Sequence, residues 1–354
     1  MRSAFLKSDP RIFTIAFITI AAGSLAAIAG LNYLVNPLNY YQTDGFVPLV
    51  QTTREEKVAR LIEMRQPPDG IILGSSRVLK FEPNYLSERT GRSFYNAGVT
   101  HAHAEDHVAM LRFFRERFAQ WPAVIIIGID EFAFSASEPV DRDLVATPQL
   151  ACQLPAFLSL SDRLQPFRSL IEWQQTKLSI RSLKQRFLSQ SSPEKIETIQ
   201  PDGRIVYHQR EQQIADGAYD FQSAINYNIQ EYSQIVSRYH AICPQRVRTL
   251  SDTLTQCADS GSTIIIFFTP LHPILHRHLA TDPSFQKRNA ELRLAIGQIA
   301  SFTKSTVHDF TDPKSFNGDE REFVDGIHPL EFNTRKMVDA MLSTENGRDK
   351  LAIQ

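Results

Sequence analysis

Cysteine is scarce in this sequence, and neither sign of charge predominates. The chain of 354 residues has three cysteines, and no two of them form a CxxC pair, so we expect neither a zinc ribbon nor a disulfide scaffold. Its 38 lysines and arginines nearly balance its 39 aspartates and glutamates, which gives no electrostatic indication of nucleic acid. We find no nucleic-acid-binding motif either, so we expect no nucleic-acid partner.

One long apolar run lies near the N-terminus. No residue from Ile12 to Val35 is charged, and the run exceeds the roughly 20 apolar residues that a transmembrane helix needs. The sequence therefore predicts one transmembrane helix over residues 12–35, with the lipid bilayer as its partner. A cleaved signal peptide is the alternative. We favour an uncleaved anchor, because the run is longer than the apolar h-region of a usual signal peptide and no clear A-x-A site ends it.

Charges on either side of this run predict its orientation. Arg2, Lys7 and Arg11 precede the run, and no lysine or arginine follows it until Arg54. By the positive-inside rule, residues 1–11 form a cytoplasmic tail. We therefore expect a single-pass protein of the plasma (inner) membrane, with its main domain periplasmic or extracellular.

Short apolar runs alternate with helical patterns along the rest of the chain. Residues 36–68 predict a linker and a polar helix that ends before a pair of prolines. From residue 69 onward, five strand-like runs follow: DGIILGSS, FYNAGV, AVIIIGID, STIIIFFTP and STVHDFT. This alternation predicts a doubly wound α/β domain over residues 69–354, with a mostly parallel five-stranded sheet. Sites in such folds form at the carboxyl ends of the strands.

A polar segment from about residue 135 to residue 245 interrupts the alternation. Its pattern is helical, with a turn at PDGR. We interpret it as a helical cap inserted over the strand ends. A helical excursion on the surface is the alternative.

A small-residue turn, Gly74-Ser75-Ser76-Arg77, directly follows the first predicted strand. A hydroxyl at this position is well placed as an exposed nucleophile, and the following backbone N–H groups can help to bind an oxyanion. Taken alone, Ser76 is better explained as a turn or helix-cap serine. Arg77 fits either a surface ion pair or contact with an anionic substrate.

Asp325 and His328 lie three residues apart in DGIHP, before the last predicted helix. A histidine that deprotonates a serine needs a carboxylate that fixes its tautomer and stabilises its charged form. An aspartate three residues earlier on the same turn can do both. Together with Ser76, this pair predicts a catalytic triad.

Two further polar turns follow the second and third predicted strands, at residues 96–101 (NAGVTH) and 128–131 (GIDE). In order and spacing, the four clusters resemble the SGNH (GDSL-type) hydrolase superfamily over residues 69–343, apart from the insertion. The resemblance implies that Ser76 is the nucleophile and that Asp325 and His328 complete the triad. It implies no metal or organic cofactor.

The N-terminal anchor, the GSSR turn and the sequence PLHP at residues 270–273 resemble the membrane-anchored branch related to the teichoic-acid D-alanylation protein and the alginate acetylation proteins. That branch implies a serine esterase or O-acyltransferase acting on acyl esters of a cell-envelope glycan or polymer. A partner membrane acyltransferase is compatible with it. The resemblance also assigns an oxyanion or site-lining position to six residues, namely Ser75, Arg77, Gly98, His101, Asp130 and His272. A structural hydrogen bond is the alternative role for the last of these.

Three positions depart from the pattern of the family. Ser75 replaces the usual aspartate of the first block, His101 replaces a glycine of the second, and Asp130 replaces an asparagine of the third. A backbone N–H survives at His101, but a carboxylate at Asp130 cannot donate a hydrogen bond unless it is protonated. Asp130 therefore favours an alternative function, a catalytically weak or inactive binding module of an envelope acylation complex. A solvated strand end or a cap salt bridge would also explain Asp130 and Glu131.

The string HAHAEDH, from His101 to His107, is a third basis for a function. Clustered imidazoles and carboxylates suit zinc, and the string is similar to the HxHxDH pattern of metallo-β-lactamases. A metal-dependent hydrolase that uses His101, His103 and His107 is therefore a further alternative. One extra residue rotates the later ligands on a helix, and we find no convincing downstream ligands. We therefore favour a polar helix start near the site.

Overall fold

The computed structural model describes residues 10–38, 40, 41, 43, 46, 53–188 and 197–343. The cytoplasmic tail predicted for residues 1–11 lies almost wholly outside these residues, as do Arg2 and Lys7. The chain divides into two compact units. The N-terminal unit comprises Met1–Thr52 and Ser159–Pro193, and the sheet unit comprises Thr53–Leu158 and Glu194–Gln354.

The described elements follow one another as helices and short strands. In chain order they are α1 Pro10–Val35, α2 Thr53–Glu63, β1 Gly70–Leu73, α3 Pro83–Thr90, β2 Phe94–Asn96, α4 Ala104–Phe118, β3 Val124–Ile129, α5 Arg142–Ala146, α6 Pro148–Ala151, α7 Leu160–Arg163, α8 Gln165–Ser169, α9 Trp173–Leu188, β4 Thr198–Ile199, β5 Ile205–Val206, α10 His208–Ala215, α11 Phe221–Arg238, α12 Pro244–Asp259, β6 Thr263–Phe268, α13 Pro273–Leu279, α14 Pro283–Thr303, β7 Thr306–Asp309 and α15 Glu331–Ser343. Two 3-10 helices, Ser76–Val78 and Pro313–Phe316, complete the set.

The N-terminal unit contains α1 and the helices α7 to α9. Among the described residues, α1 is the one helix long and apolar enough to cross a membrane. The predicted apolar helix over residues 12–35 is therefore confirmed, and its orientation stays a prediction.

The sheet unit is built around five parallel strands in the order β2-β1-β3-β6-β7. Central registers pair Ile71 with Tyr95 and with Ile125. From β1 the chain moves first to β2 on one side and then to β3, β6 and β7 on the other. The strand order therefore reverses between β1 and β3, where doubly wound sheets form their binding crevice. The predicted α/β class with a five-stranded parallel sheet is confirmed.

Side chains of the central strands alternate between two apolar layers, as the two-residue period of a strand requires. In β3, Ile125 and Ile127 pack with helices α2, α4, α12 and α14 on one face. Val124 and Ile126 pack with α3 and α15 on the other face. Because both faces are covered, the central strands β1 and β3 are apolar and buried along their whole length.

Helix boundaries in this unit follow local rules. Helix α14 starts with Pro283, and the Asp282 carboxylate before it accepts a hydrogen bond from the backbone N–H of Ser284 at 2.7 Å. Helix α3 ends at Gly91, whose φ of 72° is favourable for glycine.

The polar segment from residue 135 to residue 245 contains helices α5 to α11 and also a short antiparallel hairpin, β4-β5. Sequence reasoning anticipated the helices and the turn at PDGR but not the strands, because two-residue strands are too short to show alternation. The backbone N–H of Asn96 donates to Asp202 O at 2.9 Å, and that of Ile205 donates to Leu79 O at 3.1 Å. The hairpin thus lies beside the carboxyl ends of β1 and β2. A Cβ at Gly203, whose φ is 89°, would collide with the Asn96 carbonyl oxygen.

Candidate active site

Ser76 lies beyond the carboxyl end of β1, three residues after Leu73, and it begins a 3-10 helix. Ser75 caps the 3-10 helix Ser76–Val78, because its Oγ accepts a hydrogen bond from the Arg77 backbone N–H at 3.2 Å. Three glycines surround the side chain of Val78, since a Cβ at Gly74, Gly98 or Gly128 would approach its methyl groups to less than 3.0 Å. This close packing holds the turn on the ends of three strands and leaves Ser76 half-buried.

The side chains of Ser76, His328 and Asp325 form one continuous chain of hydrogen bonds. Ser76 Oγ lies 2.8 Å from His328 Nε2, and His328 Nδ1 lies 2.7 Å from Asp325 Oδ2. The residues are 252 positions apart for the first contact and 3 for the second, so the fold brings the serine to a histidine that already has its carboxylate. This is the arrangement expected for a serine activated by a general base.

The turn of Asp325 is held by its own backbone. Asp325 Oδ1 accepts hydrogen bonds from the N–H groups of Ile327 and His328, both at 2.9 Å. Burial alone would raise the pKa of Asp325, but the neighbouring His328 and these hydrogen bonds outweigh it and lower the pKa below its usual range. The carboxylate is therefore ionised and fixed in orientation at neutral pH.

Two residues outside the triad form hydrogen bonds with Gly326, which lies between Asp325 and His328 in the chain. Gly326 N–H donates to Asn228 Oδ1 on α11 at 2.8 Å, and Gly326 O accepts from the backbone N–H of His272 at 2.9 Å. The His272 side chain caps α13 by accepting from Ile274 N–H at 3.2 Å. Thus the structure places His272 in a structural hydrogen-bonding position. No sequence signal marked Asn228, because a buried asparagine on an amphipathic helix shows no distinguishing spacing.

Arg77 points away from the surface into a buried polar cluster. Its side chain is 1% exposed, and it donates to Glu131 Oε2 and Thr269 Oγ1, both at 2.8 Å, and to the Tyr232 hydroxyl at 2.9 Å. Asp130 Oδ1 lies 3.7 Å from Arg77 Nε. Sequence reasoning missed Thr269 and Tyr232. Thr269 directly follows β6 and Tyr232 lies on α11, so they meet Arg77 only in the folded chain.

The guanidinium of Arg77 forms ion pairs with the carboxylates of Asp130 and Glu131. Burial opposes its charge, but Asp130 and Glu131 outweigh that effect and raise its pKa. Burial also raises the pKa of Glu131, and the attraction of Arg77 offsets this only in part. Arg77 is consequently an internal ion-pair partner next to Ser76, and the structure does not present it to a substrate.

The candidate oxyanion donors differ in whether the fold already uses their hydrogen-bonding groups. The N–H of Gly98 donates to Asn96 Oδ1 at 3.0 Å, and Asp130 Oδ1 accepts from the Thr269 hydroxyl at 2.8 Å. His101 is exposed, with a φ of 51°. By contrast, Ser76 is the first residue of its 3-10 helix, where an N–H has no intrahelical acceptor. The Ser76 N–H is therefore a candidate donor to an oxyanion.

The carboxylates of the HAHAEDH string are used in buried ion pairs. Asp106 Oδ1 lies 2.7 Å from Arg54 Nε, and Glu105 Oε1 lies 2.6 Å from Arg246 Nη2. All four side chains are at most 3% exposed. These arginines tie α2 and α12 to the start of α4, so the two carboxylates stabilise the packing of helices.

The three histidines of this string do not form a metal site with their neighbours. In the described part of the chain, no group of three or more histidine, cysteine or carboxylate side chains is arranged to hold a metal ion. His101 is exposed, and burial lowers the pKa of both His103 and His107 to about 4. They are therefore neutral at physiological pH, within a polar start of α4.

Comparisons with known proteins add no family to this picture. No protein-family model matches the chain, and no curated protein matches it. Its function is therefore assessed from the arrangement of its own residues.

Proposed function

We propose that the sheet unit is a serine esterase or O-acyltransferase of the SGNH type, carried by a membrane anchor. The observation that supports this most strongly is the pair of hydrogen bonds, 2.8 and 2.7 Å long, that joins Ser76 through His328 to Asp325. A capping serine would need no histidine on its Oγ. The capping role in this turn belongs to Ser75.

The geometry supports a two-step acyl transfer. Ser76 Oγ attacks the carbonyl carbon of an acyl ester while His328 Nε2 takes the hydroxyl proton, and the Asp325 carboxylate stabilises the imidazolium. His328 then gives the proton to the departing alcohol, which leaves an acyl group on Ser76. A water molecule or an acceptor hydroxyl, deprotonated by His328, removes the acyl group and restores the serine.

The negative charge on the carbonyl oxygen needs a donor within hydrogen-bonding reach. The Ser76 backbone N–H fits this role by its position at the helix start. Arg77 contributes indirectly, since its charge offsets the carboxylates of Asp130 and Glu131 just behind the turn.

The substrate class rests on the resemblance and on the apolar helix. An extracytoplasmic site anchored by α1 would meet cell-envelope glycans or polymers that carry acyl esters. A partner membrane acyltransferase would be a natural donor of acyl groups to such a site. The chain would lie in the plasma (inner) membrane, with residues 1–11 in the cytoplasm.

The test is turnover of an activated acetyl ester by the full chain in detergent, compared with Ser76→Ala, His328→Ala and Asp325→Asn. Removal of the serine or the histidine should lower turnover by about 10³-fold or more, with little change in thermal stability. Ser233 is an exposed residue of α11. The substitution Ser233→Ala serves as a control and should leave turnover unchanged. Equal turnover in Ser76→Ala and the unmodified chain would refute the proposal.

A second candidate, a binding or assembly module on the same scaffold, is favoured by one observation. Asp130 stands where the family has an amide donor, and the Gly98 N–H is already engaged by Asn96. Such a module would show no turnover but would still bind an acylated envelope polymer. Binding of that polymer with the same affinity by the chain and by Ser76→Ala, without turnover, would identify this function.

A further inference from the structure

The N-terminal unit has its polar side chains inside and its large apolar side chains outside. Asn32 of α1 is fully buried. It donates to Leu170 O at 2.7 Å and to Thr176 Oγ1 at 2.9 Å, and it accepts from Ser179 Oγ at 2.8 Å. Helix α9 therefore packs against the last turns of α1 through small hydroxyl residues.

The exposed face of α9 carries large apolar side chains. Trp173 is 68% exposed and Phe187 is 73% exposed, with Ile180 between them. These residues are seven positions apart, which is nearly two helical turns, so they form one stripe along the helix. Lys177 and Lys184 interleave with them on the same face, and the Lys177 ammonium lies 5.5 Å from the centre of the Trp173 ring.

This arrangement is the reverse of that in a water-soluble helix, which turns its apolar stripe inward. In lipid, by contrast, small and polar residues occupy helix–helix contacts and large apolar residues face outward. The Lys-and-aromatic face of α9 also matches helices that lie in a membrane interface, where lysine stems run along apolar surface and their charges reach the headgroups.

The length of α1 gives the depth at which α9 would lie. Its 26 residues extend about 39 Å at 1.5 Å per residue, whereas the apolar core of a bilayer is about 30 Å thick. If the span begins near Ile12, it ends near Leu31, so Asn32 would lie at the boundary of the apolar core. Helix α9, which is hydrogen-bonded to Asn32, would lie at that same depth.

We infer that helices α7 to α9 lie in the interfacial layer of the membrane beside the C-terminal end of α1, with phospholipid as their partner. The apolar side chains of the stripe enter the acyl-chain boundary, and the two lysines contact headgroup phosphates. Leu160 and Phe167, exposed on α7 and α8, extend the same surface. Tyr41 holds α8 in place, because its hydroxyl donates to Pro166 O at 2.6 Å.

The two tryptophans of the chain allow a direct test. The full chain is reconstituted into phosphatidylcholine–phosphatidylglycerol vesicles whose acyl chains carry bromine near the headgroup, a short-range quencher of tryptophan fluorescence. The fluorescence of Trp173 is isolated in Trp121→Phe, and that of Trp121, which stacks on Arg115 in the sheet unit, is isolated in Trp173→Phe. Should Trp121→Phe not fold, subtracting the signal of Trp173→Phe from that of the unmodified chain gives the Trp173 component.

Brominated lipid should quench Trp173 by more than half and leave Trp121 almost unchanged. Equal, weak quenching of both tryptophans would overturn the inference, provided that the chain floats with the vesicles and so is anchored through α1. Failure to float would instead remove its premise, and with it the inference. A photo-crosslinker at position 173 that captures a protein in native membranes, with no quenching in pure lipid, would assign the face to a protein partner and would likewise overturn it.

Discussion

The two units of this protein differ in the polar groups that they bury and in the exposure of their large apolar residues. Phe267 of the sheet unit is fully buried, whereas Phe187 of the N-terminal unit is 73% exposed. The polar interior of the sheet unit is charged and centred on Arg77. That of the N-terminal unit is neutral and centred on Asn32.

The difference indicates which medium each unit is built to meet. A unit surrounded by water gains stability from inward apolar groups, and it buries charges only with partners. A unit that meets lipid gains nothing from moving apolar groups inward, and polar contacts then join its helices. The candidate active site lies wholly in the sheet unit, next to the buried charges.

The charged interior gives the largest expected effect on stability. Arg77→Met would leave the buried Glu131 without its cation, and removing one partner of a buried pair lowers stability by about 3 to 5 kcal/mol. Chemical denaturation of the full chain in detergent measures the change. In the matched control Arg89→Met, which breaks an exposed pair with Asp339, the expected loss is below about 1 kcal/mol. Similar losses in both variants would contradict the assigned role of Arg77.

Asn228 links the N–H of Gly326 to helix α11. Asn228→Ala leaves that buried N–H without an acceptor, which should cost about 1 to 3 kcal/mol of stability. If Asn228 positions the triad turn, kcat should fall and KM should stay nearly constant. The exposed Asn226 on the same helix supplies the control Asn226→Ala, with both parameters unchanged. A loss of stability without any change in kcat would limit Asn228 to a structural role.

The buried Lys57 of the sheet unit should make the stability of the chain depend on pH. It is fully buried and donates to the carbonyl oxygens of Asn96 and Gly203, and burial lowers its pKa from 10.5 to about 7. Between these values the unfolded chain binds a proton that the folded chain does not. Stability should therefore rise with pH over this window, by up to about 1.4 kcal/mol per pH unit.

The comparison variant for Lys57 is Lys57→Met, which has no titrating group at this position. Denaturation curves at several pH values between 7 and 10 give the difference in slope between the two proteins. A slope that is the same in both would show that Lys57 stays protonated in the folded chain.

The smallest effect is expected at an exposed apolar residue, and a buried residue of the same type supplies the contrast. Phe187→Ala should change the stability of the chain in detergent by at most about 0.5 kcal/mol, as for other exposed positions. Phe267→Ala, by contrast, should destabilise it by about 3 to 5 kcal/mol. Differential scanning calorimetry of both variants compares the two. A large loss for Phe187→Ala would mean that this side chain packs against protein.

Local pattern was sufficient to predict the central sheet, and it marked Ser76, Asp325 and His328 as candidates, which the resemblance to a known family then joined into a triad. The strands of the sheet are continuous apolar runs with small-residue turns, and such runs are recognisable without any partner. Ser76 and the pair Asp325 and His328 were found because each lies at a turn beside a regular element. Their mutual contact follows from the parallel sheet, which brings distant strand ends to one edge.

The supporting contacts could not be predicted in the same way. Asn228 and Tyr232 lie on one helix of a segment interpreted as a cap, and their partners are more than 90 residues away. The stripe on α9 has the period of any amphipathic helix, so its sequence does not show which face is inside. Only the hydrogen bonds of Asn32 show that the polar face is inside.

The most direct test of the central claim, an activated Ser76, is covalent labelling by a fluorophosphonate. The full chain in detergent is incubated with the probe and its intact mass is measured, beside Ser76→Ala and His328→Ala variants that melt at the same temperature. If Ser76 is activated, the unmodified chain should gain the mass of one probe, located on Ser76, and neither variant should gain mass. An unlabelled but folded chain, or labelling that persists in Ser76→Ala, would contradict this claim.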